Sequence, residues 1–283
     1  MEGSKFLPVK SDVIFRLFFA DERNVEFLVS FLKSVLKLSE DDYNEIEIAD
    51  PNLLREFAGD KLSIIDVKLR TKSRKIVHIE IQLSVTPQLR ERIIFYDAKL
   101  ITEQMGSGDQ YDAIKKVVSI LIVDERLIPD DSKYQHRFTL YDPEAKVELS
   151  DLLEINTLEL VKLPEGADGT ALYDWASFIA AESKEELDMI AERNPEVKKA
   201  VVKLLELSAD ERARDLYERR EKERRDIAAR EKWARQEGRL DVAKNLLSAG
   251  DSIDKIIKVT GLLREEIERL LPFTQEPIAR RES

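Results

Sequence analysis

The stretch SIIDVKLRTKSRKIVHIEIQLS (residues 63–84) decides how the rest of the chain is read. Taken with a period of two, it separates into an apolar set and a polar set. The apolar set is Ile65, Val67 and Leu69, then Val77, Ile79, Ile81 and Leu83; the polar set is Asp66, Lys68, His78, Glu80 and Gln82. Side chains alternate across a strand, so each set occupies one face. The polar interruption at 71–75 then joins two half-buried strands into a hairpin. If 72–74 form a three-residue loop, residues whose numbers sum to 146 face each other, and Asp66 lies opposite Glu80. Their Cβ atoms would be about 4.5–5.5 Å apart. Two carboxylates so placed repel unless something positive sits between them, and an oxygen-ligated divalent cation would serve. A slip of two residues instead sets Glu80 opposite Lys68 as an ordinary cross-strand salt bridge. Every even register keeps these groups on one face, so the pattern leaves both arrangements open.

Outward from the hairpin, the elements alternate. Ser11-Asp12 is suited to start a short helix over VIFRLFF, and a second helix is expected over 23–38 with Phe27, Leu28, Phe31, Leu32, Val35 and Leu36 as its apolar stripe. A strand over 45–48 is stopped by Asp50-Pro51. A helix over 88–105 follows the hairpin, and the β-branched run at 117–123 reads as a fully buried strand. Strands are expected at 136–141, 146–149 and 157–162, closing an α/β domain near Pro164.

From Gly169 the pattern is helical, with expected helices at 170–181, 184–193 and 196–207 and with Trp175 and Phe178 as core. Residues 210–237 hold ten Lys/Arg and nine Asp/Glu, with acid-to-base i,i+4 pairs such as Glu221–Arg225 and Asp226–Arg230. Each such pair adds about 0.2–0.5 kcal/mol, which describes a solvent-exposed spacer helix rather than an RNA-binding arm. Helices at 240–249, 253–259 and 263–271, with Thr260-Gly261 between the last two, have helix-turn-helix spacing. The segment LLREEIERLL is net negative, however, which suits packing or oligomerisation better than a major groove. The expected division is therefore 1–165, a helical segment 166–209, a charged helix 210–237, a helical tail 238–272 and a flexible tail 273–283. Trp175 and Trp233 read as core or helix-packing residues rather than base-stacking platforms.

Composition narrows the chemistry. With no cysteine and only two histidines, disulfides, thiolate zinc sites and histidine-rich metal sites are excluded, which leaves oxygen ligands and a hard cation. No run reaches bilayer length and the first residues contain no apolar signal region, so a cytoplasmic protein without a membrane segment is expected. The net charge is −11, yet residues 61–100 carry nine Lys/Arg against four Asp/Glu. A local positive field can draw a polyanion to an acidic protein, although a solvated hairpin turn accounts for part of it.

Asp66 followed by Glu80-Ile81-Gln82 resembles the Asp…(Glu/Asp)-X-Lys signature of PD-(D/E)XK nucleases, with Gln82 in the lysine position. The ordered context SDVIFRLFF (11–19), VEFLVSFLKSVL (25–36), DVKLRTKSRKIVHIEIQ (66–82) and RERIIFYDAKLITEQMGSGDQYDAIKKVVSILIVD (90–124) is similar to the recombination-promoting nuclease (Rpn) family, also labelled transposases, over 11–164. That resemblance implies a PD-(D/E)XK α/β core, a mixed sheet flanked by helices, with an all-helical C-terminal extension. It implies a metal-dependent endodeoxyribonuclease associated with DNA recombination, using Mg²⁺ or Mn²⁺. Asp66, Glu80 and the Ile81 carbonyl would bind the metal, and Gln82 would orient water or contact phosphate. Asp12 would be an accessory acid or only a helix cap, and Arg16 would contact phosphate or pair with an acid. Arg92 and Tyr96 share a face of the following helix, and Arg92 is the candidate to replace the missing lysine charge. Double-strand cutting would need a homodimer. The alternatives are a nuclease-like nucleic-acid-binding or regulatory protein that cleaves weakly or not at all, and a scaffold whose hairpin acids only form salt bridges. His78 reads as polar scaffolding.

Overall fold

The computed structural model describes residues 6–49 and 66–271; Ile65, the Asp50-Pro51 stop and the expected tail at 273–283 lie outside the described residues. The strands are β1 (Glu47–Ala49), β2 (Val67–Arg70), β3 (Ile76–Gln82), β4 (Val117–Val123), β5 (Gln135–Asp142) and β6 (Val147–Glu159). They form one mixed sheet in the order β1-β2-β3-β4-β6-β5. β3, β4 and β6 run parallel, whereas β1–β2, β2–β3 and β5–β6 are antiparallel. A parallel neighbour demands a crossover, and α3 (Leu89–Thr102) supplies it between β3 and β4.

The hairpin adopts the register in which numbers sum to 146: Val67 faces Ile79, Lys68 faces His78 and Leu69 faces Val77. Continuing that ladder by one pair sets Asp66 opposite Glu80, and the alternative Lys68–Glu80 pairing is not formed. The turn explains the choice. Arg74 takes a left-handed φ of 68° and the Thr71 N–H reaches the Lys75 carbonyl, which closes a three-residue loop over 72–74. Asp42 pins that loop by accepting from Thr71 Oγ1 at 3.1 Å, Lys75 Nζ at 2.7 Å and the Ser73 hydroxyl.

One face of the sheet packs Val67, Leu69, Val77, Ile79, Ile81, Val118, Ile120 and Ile122 into a single core. The helices sharing it are α1 (Asp12–Phe19), α2 (Val25–Val35), α4 (Ala171–Ala180), α5 (Lys184–Arg193) and α6 (Pro195–Ala209). Phe18, Phe19, Phe31, Trp175 and Phe178 interlock there with ring centroids 5.0–6.3 Å apart. α3 covers the opposite face through Leu89, Ile93, Asp97 and Leu100. The expected half-buried hairpin is therefore corrected: β3 is buried on both faces up to Gln82, and the polar set lies beneath a helix instead of in solvent.

Other boundaries moved for physical reasons. Residues 22–24 form a 3-10 turn and α2 ends at Val35. The strands expected at 146–149 and 157–162 are largely one strand, β6, because β5 pairs along its length and an irregular register near Leu140 absorbs the polar stretch between them; 160–162 is a 3-10 turn. The charged helix and the next one merge into α7 (Glu211–Ser248), in which Gly238 does not interrupt the helix. Arg225 and Arg230 donate to the main-chain carbonyls of Glu221 and Asp226, the residues expected to offer carboxylates. Trp233, expected to pack, is 67% exposed.

The chain divides into two compact units, Met1–Tyr217 and Glu218–Ser283. In the first, α4–α6 share the core of the sheet. In the second, Ala243, Ile256, Leu262 and Ile267 form a small core of their own, drawn from α7, α8 (Ile253–Thr260), α9 (Arg264–Glu268) and the turn between the last two. Among the described residues no helix is long and apolar enough to cross a membrane.

Candidate active site

The hairpin's polar residues meet α1 and α3 at the C-terminal end of β3. Asp66 and Glu80 are 5% and 4% exposed, so two carboxyl groups leave water together. Asp66 Oδ2 accepts the Ile81 N–H at 2.8 Å, a bond that continues the hairpin ladder through a side chain. Glu80 Oε1 accepts from Gln82 Nε2 at 2.9 Å and from the Arg92 guanidinium. Burial pushes the Asp66 pKa well above the usual carboxylate range; the Ile81 N–H opposes the rise, while the negative charges of Glu80 and Asp12 add to it and Arg16 counters it. Burial raises the Glu80 pKa too, against the pull of Arg92 and Gln82. Both carboxyls thus hold a proton more readily than a carboxyl in water does.

α1 contributes Asp12 and Arg16, one turn apart, whose charges act on Asp66. The expected Ser11 cap is not made: among the described residues its hydroxyl has no hydrogen-bond partner, and Asp12 Oδ1 instead accepts the Val13 N–H at 3.0 Å. α3 contributes Arg92, which pairs with Glu80. Tyr96 lies one turn further on, its ring edge-on to Phe95 with centroids 5.7 Å apart. Gln82, expected to address water or phosphate, spends an amide hydrogen on Glu80.

Behind the acid pair lies a buried polar seam that sequence reasoning missed in part. His78, Asp97 and Ser119 are fully buried. The Ser119 hydroxyl donates to Asp97, and His78 Nδ1 lies 3.5 Å from both Ser119 Oγ and Asp97 Oδ1. Burial holds the His78 pKa down to about 3, so the imidazole is neutral and serves as scaffold. Lys68 is buried beside it, with Nζ 3.9 Å from Glu103. Two signals for the seam were present: Asp97 occupies a core position of the Leu89–Ile93–Leu100 stripe, and Ser119 interrupts VVSILIV.

The donor set fits a hard divalent cation of the magnesium class, which is held by one or two carboxylates and keeps several waters. Asp66, Glu80 and the Ile81 carbonyl are the oxygens that could be offered to such an ion. Among the described residues there is no group of three His, Cys, Asp or Glu side chains able to hold a metal, so waters or substrate oxygens would complete the shell.

A family model described as PD-(D/E)XK nuclease family transposase matches residues 9–232. No curated protein and no solved structure matches the chain.

Proposed function

The chain belongs to the PD-(D/E)XK nuclease family transposases, and from that premise we propose that it is a metal-dependent DNA endonuclease hydrolysing phosphodiester bonds. The observation that carries the reading is the buried Asp66–Glu80 pair at the open end of the hairpin: burial is the main cost of charging Asp66, Glu80 adds to it, and a bound cation would offset both. Nucleases of this superfamily generally use divalent metals, and here Asp66, Glu80 and the Ile81 carbonyl would hold Mg²⁺ or Mn²⁺. Such an ion, when bound, supplies Lewis acidity toward phosphate and lowers the pKa of water. Gln82 orients Glu80; being neutral, it neither carries lysine's charge nor serves as a general base. Arg92 is the cation within reach of a phosphate, and its forked donors suit that group. Asp12 and Arg16 tune Asp66 from α1, and Tyr96 borders Arg92. Cutting both strands would require two such sites, hence a homodimer, acting in the cytoplasm on DNA undergoing recombination.

A second reading, a nuclease-like protein that binds nucleic acid without cleaving it, is favoured by one feature. Glu80 Oε1 is already engaged by Arg92 and Gln82. Supercoiled plasmid incubated with wild type or Asp66→Ala, in Mg²⁺, Mn²⁺ or EDTA, separates the two. Metal-dependent cutting that disappears in Asp66→Ala is expected. Folded wild type that binds DNA but never cuts it selects the second reading, and cutting that survives Asp66→Ala removes the acid pair from the chemistry.

A further inference from the structure

The outer side of α3 carries an arrangement that the acid pair does not use. Phe95 is 64% exposed and its neighbour Ile94 52%, in a helix whose opposite side is locked into the core by Leu89, Ile93, Asp97 and Leu100. The exposed ring therefore stands on a rigid support. Residues three, four and seven apart lie along one side of a helix, so Arg92, Phe95, Tyr96 and Lys99 form a stripe of cation, two aromatic rings and cation. The stripe begins at the site itself, because Arg92 pairs with Glu80. The two rings meet at a steep angle with centroids 5.7 Å apart, and Phe95 keeps most of its surface toward solvent. Within α3 the charges outside the core are Arg90, Arg92 and Lys99 against Glu91, since Asp97 is fully buried. That balance suits a polyanion better than an apolar protein surface.

We propose that Phe95 is a stacking platform for an unpaired base of the substrate strand, with Arg92 and Lys99 addressing the phosphates on either side. A flat ring flanked by cations grips any base through its π-face without reading its identity. In an intact duplex those faces are stacked on each other and closed to the ring. The substrate class is thus nucleic acid with unpaired bases beside the scissile bond: a single strand, a flap or a frayed end. The inference rests on the nuclease reading for the location of the scissile bond, though not for the stacking itself.

The test is anisotropy of a labelled 20-nucleotide DNA strand, its duplex and the matching RNA strand, with the full chain in EDTA so that binding is read without cleavage. Phe95→Ala is expected to weaken single-strand binding by about 5- to 150-fold, the range of one lost base stack. Phe95→Trp is expected to restore it, and duplex binding to change less than about twofold. The DNA and RNA arms tell which backbone the stripe prefers. Single-strand binding unchanged in Phe95→Ala, an equal loss on strand and duplex, or no strand binding by wild type overturns the platform. Phe95 contributes nothing to the core, so the variant's far-UV spectrum and melting temperature should match wild type. If the plasmid assay is silent while Phe95-dependent binding persists, the cleavage reading fails alone; plasmid cutting with Phe95-independent binding sinks only the platform.

Discussion

Asp97 sits where a charged carboxylate is costly, fully buried on the inward side of α3. Burial pushes its pKa from 3.8 up to about 7; the Ser119 hydrogen bond offsets part of the rise and Glu80 adds to it. In the unfolded chain the same carboxyl ionises near 3.8, so between that pH and about 7 the folded protein holds a proton that the unfolded chain has released. Stability must therefore fall as pH rises through this window. Asp97→Asn keeps an acceptor for Ser119 and cannot ionise. Its melting temperature relative to wild type is expected to climb from pH 5 to pH 8, and a pH-independent difference would show that Asp97 does not titrate there. His78 and Ser119 share the seam, and the alternation of the hairpin had already put His78 on the polar face. What alternation does not convey is that this face is dry. The covering belongs to α3, whose inward stripe includes a carboxyl where a periodicity argument expects an apolar side chain.

At the scale of elements, two glycines separate local propensity from geometry. Gly238 sits inside the 38-residue α7, and a Cβ there would touch nothing within 4 Å. Glycine costs about 1 kcal/mol relative to alanine in a helix interior, so Gly238→Ala is expected to stabilise the second unit by about 0.5–1 kcal/mol. Gly261 ends α8 at a φ of 64°, a left-handed conformation that alanine adopts only at a cost of about 1–2 kcal/mol. Gly261→Ala should therefore destabilise the same unit, and thermal melts followed at 222 nm read both signs. Two stabilising results would mean that α8 does not need its left-handed end. The same contrast explains the misplaced boundaries. Gly238 resembles a helix stop in sequence but lies among good helix formers, whereas the polar stretch before Ile155 resembles a loop until β5 pairs with it.

For the molecule as a whole, the net charge of −11 limits how many phosphates it can neutralise. Binding confined to the end of β3 where α1 and α3 meet the acid pair, and to the outer side of α3, through cations such as Arg16, Arg90, Arg92 and Lys99, amounts to a handful of contacts. The slope of log K against log salt is then expected between about −3 and −4, at roughly −0.9 per contact on duplex and −0.7 on single strands. Anisotropy titrations from low to moderate salt measure it, and a slope near −8 would reveal a basic surface elsewhere. By itself the sequence determined the alternation that makes the hairpin, the β-branched run of β4, the oxygen-rich and thiol-free chemistry, and the ordered context of Asp66, Glu80 and Gln82, because each depends on residues near one another in the chain. It left the hairpin register open. Only the tertiary structure decided that: the left-handed Arg74 and its loop, pinned by Asp42 from a distant turn, set Asp66 against Glu80. It likewise decided that Arg92 reaches Glu80, that Asp12 and Arg16 bear on Asp66, and that His78, Asp97 and Ser119 share a dry seam. Those are contacts between segments far apart in sequence, and burial and charge coupling exist only once the chain has brought them together.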